Sequence, residues 1–317
     1  MSQSIMIIGA GPGIGQAVAE RFGREGWSLV LTGRAADRLA TLAAELLAAG
    51  ITAYTVAADA TDPAALRAAI VEADRLTGGL SAIHYNAAIV RQQDLFSMTD
   101  DEVAGDLAIS ITGGLQTIRA AVAQFGARGG TILVTGGGLG VNPHESYATL
   151  GVGKAAMRNI VQALAEPLAA RGIRIALATV ATLIAPGSPE AKGVADTFWH
   201  LATDANAGWE ATYPAPAGPP LTLIARLTAK PEQAEALGAG LRALIEPTLR
   251  EDGAIGYTLH RDNDDPNAWI LYETWRSRAD LDAHFEQPYT KALMTRFPEM
   301  LAREMELSFA TALAASG

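Results

Sequence analysis

The segment Gly9-Ala10-Gly11-Pro12-Gly13-Ile14-Gly15 follows a short apolar run and opens a helical pattern. Glycines at such a junction permit a tight turn and let phosphate oxygens approach the N–H groups of a helix start. The spacing that fits is G-x-x-x-G-x-G through Gly9, Gly13 and Gly15, because a G-x-G-x-x-G frame begun at Gly9 needs glycine where Ile14 stands. Farther on, Leu31-Thr32-Gly33-Arg34 ends the second apolar run with a small hydroxyl and a cation. An acid there would hold an adenosine ribose and repel a 2′-phosphate, so Thr32 and Arg34 favour NADP(H) over NAD(H).

A second group of chemistry-bearing residues lies near the C-terminal end. Glu273 and Trp275 are two apart and so share one face of a strand. His284 is the group in this stretch suited to titrate near neutrality, and it could take a phenolic proton. His260 and His284 lack a third ligand at convincing spacing, so no metal is expected.

The elements that must position these residues alternate. Short apolar runs at 5–8, 29–31, 52–57, 80–85, 131–134 and 173–180 are separated by helical patterns at 14–23, 39–47, 63–76, 103–125 and 151–170. This alternation predicts an α/β fold, a Rossmann-type doubly wound parallel sheet. The helix over 191–205 runs towards Trp209, and no seventh strand is expected. Residues 211–220 hold four prolines and a glycine, which predicts a linker. Beyond it the order becomes β-α-β-β-α-β, a ferredoxin-like α+β domain over 221–317 with one open sheet face. An open face invites a second copy, so a homodimer or higher homo-oligomer is expected.

Composition narrows the classes. The 49% hydrophobic and 18% charged fractions describe an ordinary globular chain, long enough at 317 residues for two domains. With no cysteine, disulfides, thiolate metal sites and cysteine nucleophiles are excluded. The formal charge of −10 is shared evenly, since residues 221–317 hold 10 basic and 15 acidic residues, so no nucleic-acid partner is expected. Met1-Ser2-Gln3-Ser4 leads straight into an apolar run without a basic leader, and no membrane-length apolar stretch follows. A cytoplasmic protein with a small-molecule substrate is the expectation.

Residues 1–210 resemble the short-chain dehydrogenase/reductase superfamily. Gly9, Gly13 and Gly15 match its cofactor loop, and Asp59 matches the acid after the third strand that approaches the adenine. Asn86-Ala87-Ala88 is similar to the N-A-G turn after the fourth strand. The resemblance implies a Tyr-x-x-x-Lys pair, in which the lysine lowers the tyrosine pKa and binds the nicotinamide ribose. Here Lys154 is present, but its i−4 partner is Leu150, the helper serine falls on Gly137, and the helical asparagine falls on Ser110. His144, Ser146 and Tyr147 lie on the preceding loop, and His144 and Tyr147 are candidate replacement donors. Tyr147 stands seven residues before Lys154, too far for direct coupling on a continuous helix unless the loop folds back.

Residues 221–317 resemble the antibiotic-biosynthesis monooxygenase family, carried by the segments 251–257, Tyr272-Glu273-Thr274-Trp275 and Leu281-Asp282-Ala283-His284-Phe285. That resemblance implies a cavity for aromatic or quinol-like molecules. Three functions follow as expectations. The first is an NAD(P)H-dependent oxidoreductase acting on a conjugated or aromatic carbonyl or a quinone. The second is a redox-silent NADP(H)-binding scaffold or sensor, and the third is a cofactor-independent monooxygenase in the second domain.

Overall fold

The computed structural model describes residues 3–215, 218–251 and 253–311, which leaves Met1 and Ser2, Pro216 and Ala217 of the expected linker, Asp252 and residues 312–317 outside it. The chain divides into two compact units, Met1–Pro214 and Ala215–Gly317.

The first unit runs β1 (Ser4–Ile8), α1 (Ile14–Arg24), β2 (Ser28–Gly33), α2 (Ala36–Ala48), β3 (Ala53–Ala57), α3 (Pro63–Thr77) and β4 (Ala82–Tyr85). It continues with α4 (Asp100–Leu107), α5 (Gly113–Phe125), β5 (Gly130–Thr135), α6 (Ala148–Ala169), β6 (Ile173–Val180), α7 (Pro189–Thr203) and β7 (Glu210–Tyr213). The strands form one parallel sheet in the order β3-β2-β1-β4-β5-β6-β7. Its central strands read as continuous apolar runs because both faces are covered. Met6 and Ile8 of β1 pack with Ile70, Phe125 and Met157 on one face. Ile5 and Ile7 pack with Phe22, Leu42 and Phe198 on the other.

Local chemistry sets the helix starts. Asp62 accepts from the backbone N–H groups of Ala64 and Ala65 with Pro63 in the first turn, and Thr99 and Glu102 form a reciprocal capping box on α4. Between α4 and α5 lies a π-helical turn, Ala108–Thr112. Tyr85 donates its hydroxyl to the carbonyl of Ile109 within that turn, so the wide turn is tied to β4.

A seventh strand exists, against the sequence expectation. Residues 210–213 pair in parallel with 177–180, so the first part of the expected linker belongs to the sheet. The pairing is pinned by Arg158, whose guanidinium grips both carboxylate oxygens of Glu210, while the Thr179 hydroxyl donates to Glu210 at 2.6 Å. A four-residue strand ended by proline carries too little periodicity to be read from sequence.

The second unit runs β8 (Leu221–Thr228), α8 (Ala234–Thr248), β9 (Ala254–Arg261), β10 (Ala268–Trp275), α9 (Arg278–Phe285), α10 (Pro288–Met294), α11 (Phe297–Met300) and β11 (Glu306–Thr311). Its antiparallel sheet has the order β11-β8-β10-β9, the ferredoxin-like arrangement expected. Leu223, Leu227, Leu271 and Trp275 turn inward against Leu237, Leu241 and Leu281 of the helices. No helix among the described residues is long and apolar enough to cross a membrane.

Candidate functional site

The strand order of the first unit reverses between β1 and β4, and ligands of open parallel sheets lie beyond the carboxyl ends of such a pair. The glycine-rich loop leaves β1 there. Gly9 has φ +91°, and a Cβ on it would lie 2.7 Å from the Ala87 nitrogen of the turn after β4. A Cβ on Gly15 would lie 2.4 Å from the Gly9 carbonyl oxygen, so the helix starts tightly against its own loop. The side chain of Asn86 donates to the Gly9 carbonyl at 2.9 Å, and the backbone N–H groups of Gly9 and Ala10 both donate to the Thr32 carbonyl. No side chain caps α1 at Gly13, and its first turn holds no acid. Space over Gly11 is open, so uncapped N–H groups and a clear approach fit a phosphate group.

Thr32 plays a different part from the one its position suggested. The residue is fully buried, and its Oγ1 has no partner among the described residues. Its contribution is the carbonyl that anchors the loop, not a hydroxyl offered to a ribose. Arg34 stands exposed beyond β2. Asp59 spends one carboxylate oxygen on the N–H and hydroxyl of Thr61, both at 2.8 Å. Those bonds, chiefly the backbone one, and the nearby Arg34 cation hold its pKa below the usual carboxylate value.

At the end of β5 the remaining lysine is drawn inward. Lys154 Nζ donates to the Thr135 carbonyl oxygen at 2.7 Å. The residue is half-buried, and burial of its ammonium lowers its pKa to about 8. Gly137 leaves the room the lysine stem occupies, since a Cβ there would lie 3.2–3.4 Å from its Cγ, Cδ and Cε. Leu150, one turn before Lys154, is buried. Ser110 is also buried in the π-helical turn, packed where a Cβ on Gly153 would come within 2.6 Å of its own.

The two loop candidates stay apart from this group. The helix α6 begins at Ala148 and Tyr147 is its N-cap residue, so the helical extension considered for Tyr147 does not form. Tyr147 bridges to Gln93 through the backbone, and its ring meets His144 edge-on at 5.9 Å. His144 Nδ1 accepts from the Ser146 N–H in an exposed loop. Among the described residues, no hydrogen bond joins either side chain to Lys154.

Sequence reasoning missed His84, the polar residue in the apolar run of β4. It is fully buried, with Nε2 2.8 Å from Thr135 Oγ1. Thr135 Oγ1 donates to Asn86 Oδ1 at 2.8 Å, and Asn86 spends its amide N–H on Gly9. The threonine proton is thus committed, so His84 must donate from Nε2, which leaves Nδ1 as the bare acceptor without a partner. Burial, reinforced by the Lys154 charge, depresses its pKa to about 3 and keeps it neutral. Thr135 therefore links His84 and the glycine-rich loop through its hydroxyl and Lys154 through its carbonyl.

Residues 3–190 match the family model described as short chain dehydrogenase. The chain belongs to that family. Residues 220–296 match the model described as antibiotic biosynthesis monooxygenase. Similar proteins include an uncharacterized protein of Synechocystis, 33% identical over 88 residues, covering 28% of this chain and 60% of that protein. Glucose 1-dehydrogenase of Gluconobacter oxydans is 27% identical over 187 residues, covering 58% of this chain and 70% of its own. A metagenomic short-chain oxidoreductase solved in complex with NADP superposes with a TM-score of 0.59 at 28% identity, covering 67% of this chain and 97% of that one. This member thus joins a short chain dehydrogenase fold to a second, ferredoxin-like unit.

The second unit of this short chain dehydrogenase has an interior site of its own. A cavity of about 30 Å³ is lined by Tyr257, Glu273, His284, Phe285, Thr290 and Met294 among others. His284 is buried, and its Nδ1 lies 2.6 Å from Glu251 Oε1, which also accepts from the Tyr289 hydroxyl. The Trp275 indole N–H donates to Glu273 Oε2 at 2.9 Å, as their shared strand face anticipated. Burial, more than the nearby Glu251 charge, raises the Glu273 pKa to about 7, against the lowering effect of the indole bond. Thr290 is buried at the cavity with no partner for its hydroxyl among the described residues. Glu251, Tyr289 and Thr290 were not singled out from sequence, because distant segments supply them and no motif spacing links them.

Proposed function

We propose that the first unit is an NADP(H)-dependent oxidoreductase of conjugated or aromatic carbonyl compounds or quinones. The observation that carries this reading is the uncapped start of α1, tied through Asn86 and Thr135 to the Lys154 ammonium. Gly9, Gly13, Ile14 and Gly15 would cradle the phosphates, with Arg34 at the 2′-phosphate and Asp59 beside the adenine. Lys154 would hold the ribose. The similarity to a short-chain oxidoreductase solved with NADP supports the cofactor. Bound there, the nicotinamide supplies hydride chemistry.

Leucine at 150 and glycine at 137 remove a proton donor and an oxygen anchor. General acid–base catalysis is worth roughly 10²–10⁴-fold, so a simple ketone, which must develop a localised alkoxide, loses most. An acceptor whose product charge is delocalised loses least. A screen of NADPH oxidation should therefore give background rates with simple ketones and turnover with electron-poor enones or quinones. Rapid ketone reduction that survives both Tyr147→Phe and His144→Ala overturns this substrate class. NADPH binding without turnover on any acceptor would instead make the unit a scaffold or sensor.

The His284–Glu251 pair beside Glu273 favours a second reading for the other unit: a site for a hydroxylated aromatic molecule, with His284 accepting its proton. Because the cavity is small, a ring must displace side chains such as Phe285 or Met294 to enter. Oxygen uptake by the full chain with hydroquinones and no nicotinamide tests this activity, and a rate unchanged by His284→Gln counts against it.

A further inference from the structure

We propose that Lys154 itself is the proton donor of this degenerate site, delivering its Nζ proton to the oxygen of the reduced acceptor. This rests on the oxidoreductase reading above: the lysine supplies one of the two lost interactions, and the missing oxygen anchor at Gly137 still leaves a simple ketone the poorer acceptor. The argument is one of place. Leu150 closes off the position one turn earlier, and Gly137 offers no side chain. His144 and Tyr147 are held in the loop before α6. The Lys154 ammonium stands at the carboxyl end of β5, on the Thr135 carbonyl, one hydrogen-bonded residue from Asn86 and the cofactor loop.

The groups around it leave this role unshared. His84 is neutral, with its Nε2 proton committed to Thr135. Asp106 is committed to Arg91 and Thr149, Arg158 to Glu210, and the Tyr85 hydroxyl to the Ile109 carbonyl. No carboxylate pairs with Lys154 among the described residues, so nothing offsets the burial that makes its ammonium a better acid than a surface lysine. In the reaction, the acceptor carbon gains a hydride from reduced nicotinamide and its oxygen gains the Nζ proton. The neutral amine would then regain a proton from solvent, the nicotinamide being left oxidised.

Arginine keeps a cation for the cofactor but cannot release a proton near neutrality. Lys154→Arg also alters the ribose contact, so it is assayed at saturating NADPH, fixed by fluorescence titration. Its turnover with the best acceptor should fall roughly tenfold or more. Turnover of the starting protein should decline as pH rises through about 8, and this limb should vanish in the arginine variant while persisting in Tyr147→Phe and His144→Ala. Methylamine added to Lys154→Ala should restore part of the rate, a result that a purely ribose-binding lysine would not give. Without cofactor, competitive acetylation read by peptide mass spectrometry should titrate Lys154 well below the ordinary lysine value of 10.5.

Unchanged turnover and pH profile in Lys154→Arg overturn the proposal while leaving the oxidoreductase reading intact. So does a Lys154 acetylation midpoint at the ordinary lysine value. Absence of turnover with every acceptor overturns both.

Discussion

Asn86 holds Gly9 across the point where the strand order reverses, its amide N–H 2.9 Å from the Gly9 carbonyl oxygen. The bond joins the turn after β4 to the loop after β1, and Thr135 and His84 extend it into the sheet. The glycine-rich loop is thus positioned from below, by a buried polar chain, rather than by its glycines alone.

Selectivity for NADPH should follow from Arg34. The end of β2 itself carries no acid, although Asp59 beyond β3 lies near Arg34, and a charge-assisted hydrogen bond to phosphate contributes about 1.5–3 kcal/mol. Titration of both reduced cofactors should show tighter NADPH binding, and Arg34→Ala should narrow the gap by roughly tenfold. Equal affinities in the starting protein would sink the assignment.

Gly15→Ala should damage the loop. The new methyl would meet a backbone oxygen at 2.4 Å, which no rotamer change relieves. We expect weakened NADPH binding and a loss of about 1–3 kcal/mol in stability, the usual scale for overpacking. Cofactor titration with thermal melts of the variant measures both.

Glu273 should make stability depend on pH. Its folded pKa, near 7, lies above the ordinary 4.5, so the native state binds the proton more strongly. The stabilisation is complete below about pH 4.5 and declines as pH rises towards 7, by at most about 3 kcal/mol. Glu273→Gln should melt with less pH dependence across this window and be more resistant than the starting protein above it. Parallel melting curves at every pH would contradict the assignment.

The open sheet face of the second unit should mediate self-association. Ile224 and Tyr272 are cross-strand neighbours, and both are exposed. Sedimentation at micromolar concentration should give at least twice the 33.0 kDa chain mass, and Tyr272→Glu should lower it. A monomer before mutation would remove the basis for a shared assembly.

Sequence by itself determined the alternating α/β order, the glycine loop and the shift to a ferredoxin-like unit, because each is written in residues close together along the chain. It also determined the loss at 150 and 137, since a leucine or glycine excludes a proton donor wherever the backbone goes. Tertiary structure decided the rest. It buried the Thr32 hydroxyl, added the strand at 210–213 and stopped α6 short of Tyr147. It also joined His84 to Thr135 and His284 to Glu251 across 51 and 33 residues. Such pairings depend on which buried polar atoms must share hydrogen bonds once the sheets close. Periodicity records only which side of a strand a residue faces, not the partner it meets there.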